Sequence, residues 1–130
     1  MLNIISNLFF FIVAITIIIA FHEFGHFWVA RKLGIKVLRF SIGFGKILYS
    51  RKFGKDDIEF VIAAIPLGGY VKMLDERDSN VAASEIHRTF NQQSVYKRFA
   101  VVFAGPAFNF IFALFAYWLM LIVSVTDLKP

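Results

Sequence analysis

From Ile4 to Arg31 the chain is almost continuously apolar, and from Phe99 to Val125 it is so again. Each run exceeds the roughly 20 residues that a helix needs to cross the hydrocarbon of a bilayer. The first predicts a transmembrane helix within residues 1–33. Asn3, Ser6 and Asn7 then lie near one interface and Arg31-Lys32 at the other, with Gly34 as the helix stop. The second predicts a helix over 98–126, interrupted only by Gly105-Pro106, Asn109 and Ser124. Ser94 is its candidate N-cap, and Lys97-Arg98 anchor its entrance. A secretory signal fits the first run poorly. No Lys or Arg stands in Met1–Ser6, and the apolar stretch is too long.

Between the helices the period changes. Ile35–Phe40, Lys46–Lys52, Ile58–Ile65 and Gly69–Leu74 are short β-prone runs, separated by Ser41-Ile42-Gly43-Phe44-Gly45, Phe53–Asp57 and Pro66-Leu67-Gly68. This pattern predicts a small antiparallel sheet over 34–75. Phe60–Leu67 is too apolar to lie free in water, so the sheet is expected to pack on the helices or dip into the near leaflet. Residues 76–97 turn polar, with a loop at Asp78-Ser79-Asn80 and a short surface helix beginning in Ser84–Thr89. The fold class is therefore membrane α-helical: two transmembrane helices joined by a cytoplasmic-side, membrane-associated β-hairpin region. Residues 127–130 would start an extracytoplasmic segment.

Composition sharpens this picture. The chain is 58% hydrophobic with a mean hydropathy of +0.68, which excludes an ordinary soluble domain. It has no cysteine, so any metal must rest on His, Asp or Glu. The net charge of +5 is not a nucleic-acid signature, because the basic residues are mixed with acids and form no basic helix. Anionic lipid headgroups of the bilayer account for it more simply. Thirteen of the 14 Lys and Arg lie in Arg31–Arg98, leaving that region at +6 against its seven acids. Positive residues stay on the cytoplasmic side, so this region is expected inside and both chain ends outside.

The chemistry concentrates in His22-Glu23-Phe24-Gly25-His26. Helical spacing stacks His22 and His26 on one face, where two neutral imidazoles can share one Zn²⁺. Glu23 is offset around the helix, suited to take a proton from water rather than bind the metal. Gly25 leaves room for a second backbone. At about 1.5 Å per residue, His26 and His22 lie roughly 8 and 14 Å from Arg31, and Gly105 and Asn109 roughly 10 and 16 Å from Arg98. The two polar clusters therefore share a level. Gly105, Asn109 and Ala113 form one stripe, and Pro106 frees a carbonyl one turn earlier. Gly105 and Pro106 are expected to pack helices at the site. Asn109 is expected to position substrate or donate to a developing oxyanion.

Taken with Ser41–Gly45, Ile65–Met73 and Gly105-Pro106-Ala107-Phe108-Asn109, this motif resembles the bacterial intramembrane site-2 zinc metalloproteases. The match is to the N-terminal part of the sigma-E-regulating group and runs nearly end to end. The resemblance implies that His22 and His26 are zinc ligands and Glu23 the catalytic base. It also implies a membrane-re-entrant sheet over 31–74 whose edge presents an extended substrate. The substrate would be a transmembrane segment of a membrane protein such as an anti-sigma factor, cleaved in a stress response at the inner membrane. The family's third ligand is an Asp in a Leu-Asp-Gly motif on a later helix. Leu74-Asp75 is followed by Glu76, so the role is not transferred to Asp75. The family's PDZ domains and C-terminal helices are also outside these residues, and the missing C-terminal part is the partner expected to supply the third ligand. The alternatives are a catalytically silent N-terminal fragment and a non-enzymatic two-span binding or assembly module.

Overall fold

The computed structural model describes residues 2–77 and 81–127. The expected loop at Asp78-Ser79-Asn80 and most of the expected extracytoplasmic start lie outside these residues. Helix α1 spans Leu2–Lys32 and helix α2 spans Val95–Asp127. Both are long and apolar enough to cross a membrane, and their most apolar 18-residue windows are not covered by the rest of the fold. Such all-round apolar exposure demands lipid or further protein, not water. Helix α2 begins three residues before the expected start, capped where the Lys97 amide donates to the Ser94 hydroxyl at 3.3 Å.

Helix α1 ends as its sequence dictates. Gly34 has φ +86°, the Ile35 N–H donates to the Ala30 carbonyl at 3.0 Å, and the Gly34 N–H to Arg31 at 3.1 Å. This is the paired closure that a left-handed glycine permits, and it drops Ile35 back into the core beside Ala30. Phe27 of α1 and Val101 of α2 join the same cluster.

Strands β1 (Val37–Phe53) and β2 (Ile58–Met73) pair antiparallel around a turn in which Gly54 and Asp57 both take positive φ. They are longer than the four runs read from the sequence because they double back on each other. Residues 49–53 pair with 58–62, while 39–42 pair with 69–72 on one side and 59–62 on the other. In that last ladder the numbers rise together, so one inner pairing runs in the parallel sense within an otherwise antiparallel sheet. The resulting lateral order is 47–53, 58–63, 37–42, 69–73. The segment 41–45 therefore bends β1 instead of ending it. Gly43 sits at φ +94°, and a Cβ there would press on the carbonyls of Ala63 and Ile65.

The polar connection is tied to the sheet. Lys36 N–H donates to Arg88, Leu74 N–H to Lys36 and Phe90 N–H to Leu74. The expected short helix is a 3₁₀ turn, Ala83–Arg88. Arg88 pairs with Asp56 at 2.6 Å and holds its carboxyl below the ordinary aspartate range, while Arg39 and then Ser50 do the same for Glu59.

Gly34 offers a test of the helix stop. A Cβ there meets nothing within 4 Å, so only the backbone conformation opposes substitution. Gly34→Ala should cost about 1–2 kcal/mol in detergent unfolding, and Gly34→Asn clearly less, because Asn tolerates the left-handed region. Equal stability of all three proteins would refute the assigned closure.

Candidate active site

The helices meet where each has given up a side chain. A Cβ on Gly25 would strike the Ala104 carbonyl and come 2.9 Å from the Phe108 ring. A Cβ on Gly105 would strike Nε2 and Cε1 of His26 and lie 2.8 Å from Nε2 of His22. Gly105 is thus the floor beneath both imidazoles. Pro106 is exposed, and its effect is on the backbone: it denies Val102 a helical donor. The small-residue stripe stops short of Ala113, which is exposed; Phe112 instead stacks on Phe21 at 4.4 Å between centroids.

At this crossing Nε2 of His22 and Nε2 of His26 face each other at 3.1 Å. Nδ1 of His26 lies 2.6 Å from the Val101 carbonyl oxygen, the neighbour of the carbonyl that Pro106 leaves without its donor. A carbonyl only accepts, so this contact places the His26 proton on Nδ1 and leaves Nε2 with a free lone pair. On the far side of His22, the Asn109 amide nitrogen is 3.3 Å from Nδ1, and Asn109 Oδ1 is buried with no partner among the described residues. His22, Glu23, His26 and Asn109 are all half-buried.

Glu23 turns toward the sheet. A Cβ on Gly69 would lie 3.4 Å from Cγ of Glu23. His22, Glu23 and Asn109 share a cavity of about 360 Å³ with Phe44, Leu67, Gly68 and Gly69. The structure therefore brings together His22, Glu23, His26, Gly105 and Asn109, and adds the glycine stretch of β2 as the wall facing the carboxylate. Sequence reading gave no role to the Val101 carbonyl, because a backbone acceptor carries no residue-type signal; the freed carbonyl next to Pro106 was the nearest available clue.

The match to the peptidase family M50 model covers residues 10–128. The chain belongs to peptidase family M50. The M50 chain is 55% identical over 130 residues to the regulator of sigma-E protease RseP of Escherichia coli K12, covering all of this chain and 29% of that protein. It is 54% identical to a putative zinc metalloprotease of Vibrio cholerae serotype O1, covering all of this chain and 28% of the relative. A regulator of sigma E protease of Haemophilus influenzae is 52% identical over 120 residues, 92% of this chain and 27% of that protein. The chain thus spans less than a third of the length of these relatives.

Zinc is the metal that the M50 relatives' names imply, and the donor geometry can be tested against it. Two nitrogens about 2.05 Å from a tetrahedral ion stand roughly 3.3 Å apart. The imidazole pair, at 3.1 Å, matches that spacing and supplies two corners of a site. Among the described residues no group of three His, Cys, Asp or Glu completes it. Asp75 is engaged elsewhere: Arg77, through its side chain and then its backbone N–H, holds that carboxyl at about 2.

If Gly105 is the floor of the site, Gly105→Ala should push the imidazoles apart in the full-length protein. Zinc content measured on purified protein should fall well below stoichiometric, while Ala113→Val, on an exposed face, should leave it unchanged. Full zinc in Gly105→Ala would mean that the ligands lie elsewhere.

Proposed function

We propose that this chain carries the catalytic half-site of a zinc-dependent intramembrane endopeptidase that cleaves transmembrane segments of membrane proteins, such as an anti-sigma factor. The observation that carries this reading is the convergence of two imidazole nitrogens beside Glu23, in a cavity walled by β2. Helix packing requires no imidazole pair at this level, whereas two Nε2 atoms 3.1 Å apart stand near the spacing that one tetrahedral ion sets. A silent fragment or assembly module would carry the same fold without needing that convergence. The third ligand is assigned to a part of the protein outside these residues, an Asp of the Leu-Asp-Gly type. The sigma-E names of the relatives support the choice of substrate class.

His22 and His26 would hold zinc, which when bound supplies Lewis acidity toward water and the scissile carbonyl. Glu23 takes a proton from the attacking water and delivers it to the leaving amine, so that the C–N bond breaks into a carboxylate and an amine. A helical substrate hides its carbonyls in its own hydrogen bonds and must unwind first. Among the described residues, segment 69–73 of β2 pairs on one side only, and the backbone groups of its other side can receive the unwound chain as an added strand. Segment 58–62 is paired on both sides and cannot. By the distribution of basic residues, the sheet and connection face the cytoplasm of a bacterial inner membrane, with both ends of this chain across it.

Glu23→Gln is nearly isosteric but cannot take the proton. In the full-length protein it should retain zinc while cleavage of a membrane substrate falls about 10²–10⁴-fold. Cleavage at the wild-type rate would remove Glu23 from the base role.

Strand addition makes a separate prediction. Single Pro substitutions through Gly69–Met73 should alternate in effect, losing about tenfold in kcat/KM where an outward N–H is removed, with zinc content intact. Pro at 58–62 should instead disrupt the sheet wherever it is placed. A uniform response across 69–73 would argue for scaffolding instead of substrate binding.

A further inference from the structure

We propose that Asn109 is a positioning residue that holds His22 in the tautomer zinc requires, by accepting the Nδ1 proton of His22 on its side-chain oxygen. This rests on the zinc reading above and assigns Asn109 a task distinct from oxyanion donation. Two independent features of the site lead to it.

The first is a constraint on protons. Both Nε2 atoms must present lone pairs to bind one ion. For His26 the Val101 carbonyl meets this condition, since it places the proton on Nδ1. For His22 the proton must likewise sit on Nδ1, and the atom facing Nδ1 must then be an acceptor. The group there is the Asn109 amide, with a nitrogen–nitrogen distance of 3.3 Å. An amide nitrogen can only donate to Nδ1, which would drive the His22 proton onto Nε2 and spoil it as a ligand.

The second is the orphan. Asn109 Oδ1 is buried with no hydrogen-bond partner among the described residues, a situation that ordinarily costs about 1–3 kcal/mol. No donor therefore holds Oδ1 where it stands, and a half-turn of the amide about its last side-chain bond answers the first problem. It exchanges Oδ1 for Nδ2 opposite His22 and converts a donor into the needed acceptor. Oxygen and nitrogen of an amide are nearly the same in shape, so the hydrogen-bond network decides which way it points. Here it points to oxygen on His22. The two ligands are then oriented in the same way from the same helix: a backbone carbonyl of α2 on His26 and a side-chain carbonyl of α2 on His22.

The test uses the full-length protein in detergent, with zinc affinity read by competition against a chromophoric chelator and the ligand field read from the visible spectrum after cobalt substitution. Asn109→Leu should weaken zinc binding about 10–100-fold, the usual loss when a group orienting a ligand is removed. Asn109→Asp offers only acceptors, so it should keep wild-type affinity and the wild-type cobalt spectrum. Asn109→Leu with unchanged zinc affinity but lost turnover would overturn the assignment in favour of an action on substrate. Loss of zinc from Asn109→Asp, as deep as from Asn109→Leu, would overturn it by showing that the amide must donate. These outcomes are read against the wild-type protein: if that protein takes up no zinc, the zinc reading itself falls, and this assignment with it.

Discussion

The close crossing of α1 and α2 is the constraint on which the site depends. Gly25 lets the Ala104 carbonyl approach α1, and Gly105 lets two imidazoles lie against α2. At this separation the backbone of α2 becomes part of the chemistry, because the Val101 carbonyl can reach Nδ1 of His26. A single methyl at either glycine would strike backbone on one side or the imidazole pair on the other. Small residues at helix crossings are usually explained by packing, since lipid offers helices little hydrophobic reason to associate. Here the same small residues also set where two ring nitrogens point, so packing and imidazole geometry cannot be varied separately.

The sheet depends on that crossing at one remove. The closure at Gly34 turns the chain back as it leaves α1, and Ile35 and Val37 enter a core shared with Phe27, Ala30 and Val101. The sheet is therefore held against the loop-side ends of the helices while the remainder reaches toward the histidines. Gly43 and Gly45, both at positive φ, bend β1 so that residues 39–42 lie between two stretches of β2. This leaves 69–73 at an edge and puts Gly69 against Glu23. The glycines of both strands thus act together: one pair bends the sheet, and Gly69, where a Cβ would strike the Ser41 carbonyl, lets the two strands close beside Glu23.

Much of this was legible in the sequence, and the reasons differ by element. The helices announced themselves through length and hydropathy, and Gly34 and Ser94 marked their ends because caps use few residue types. His22, Glu23 and His26 were legible because a helix makes spacing equivalent to direction. Counting rise from Arg31 and Arg98 put Gly105 and Asn109 at the depth of the histidines, and the structure has them in contact with those rings. The doubling of the strands was not legible. Which run pairs with which depends on long-range ladders and on φ values at Gly43 and Gly45 that composition does not encode. The sequence treated 41–45 as a break because glycines ordinarily end strands; here they redirect one. Ala113 failed as part of the stripe for a similar reason: helical periodicity gives a face, but not the length over which a partner covers it.

On the proposed function, the sheet's place beside an apolar helix pair also bears on selectivity. Among the described residues, the strand 69–73 has a paired neighbour on one side only. In water such an edge is satisfied at little cost, but at the depth of lipid chains an unpaired peptide group costs several kcal/mol. The cavity at His22 and Glu23 is also lined by Gly69 of that edge, so on the proposed function it would admit the water that hydrolysis consumes and hydrate the edge groups. An incoming chain must then replace those waters with hydrogen bonds of its own, which only an extended segment can do along a strand. A substrate that stays helical offers the edge no donors or acceptors and would strand it dry. On the proposed function, the same arrangement of polar backbone beside His22 and Glu23 would therefore disfavour intact helices and favour segments that unwind readily.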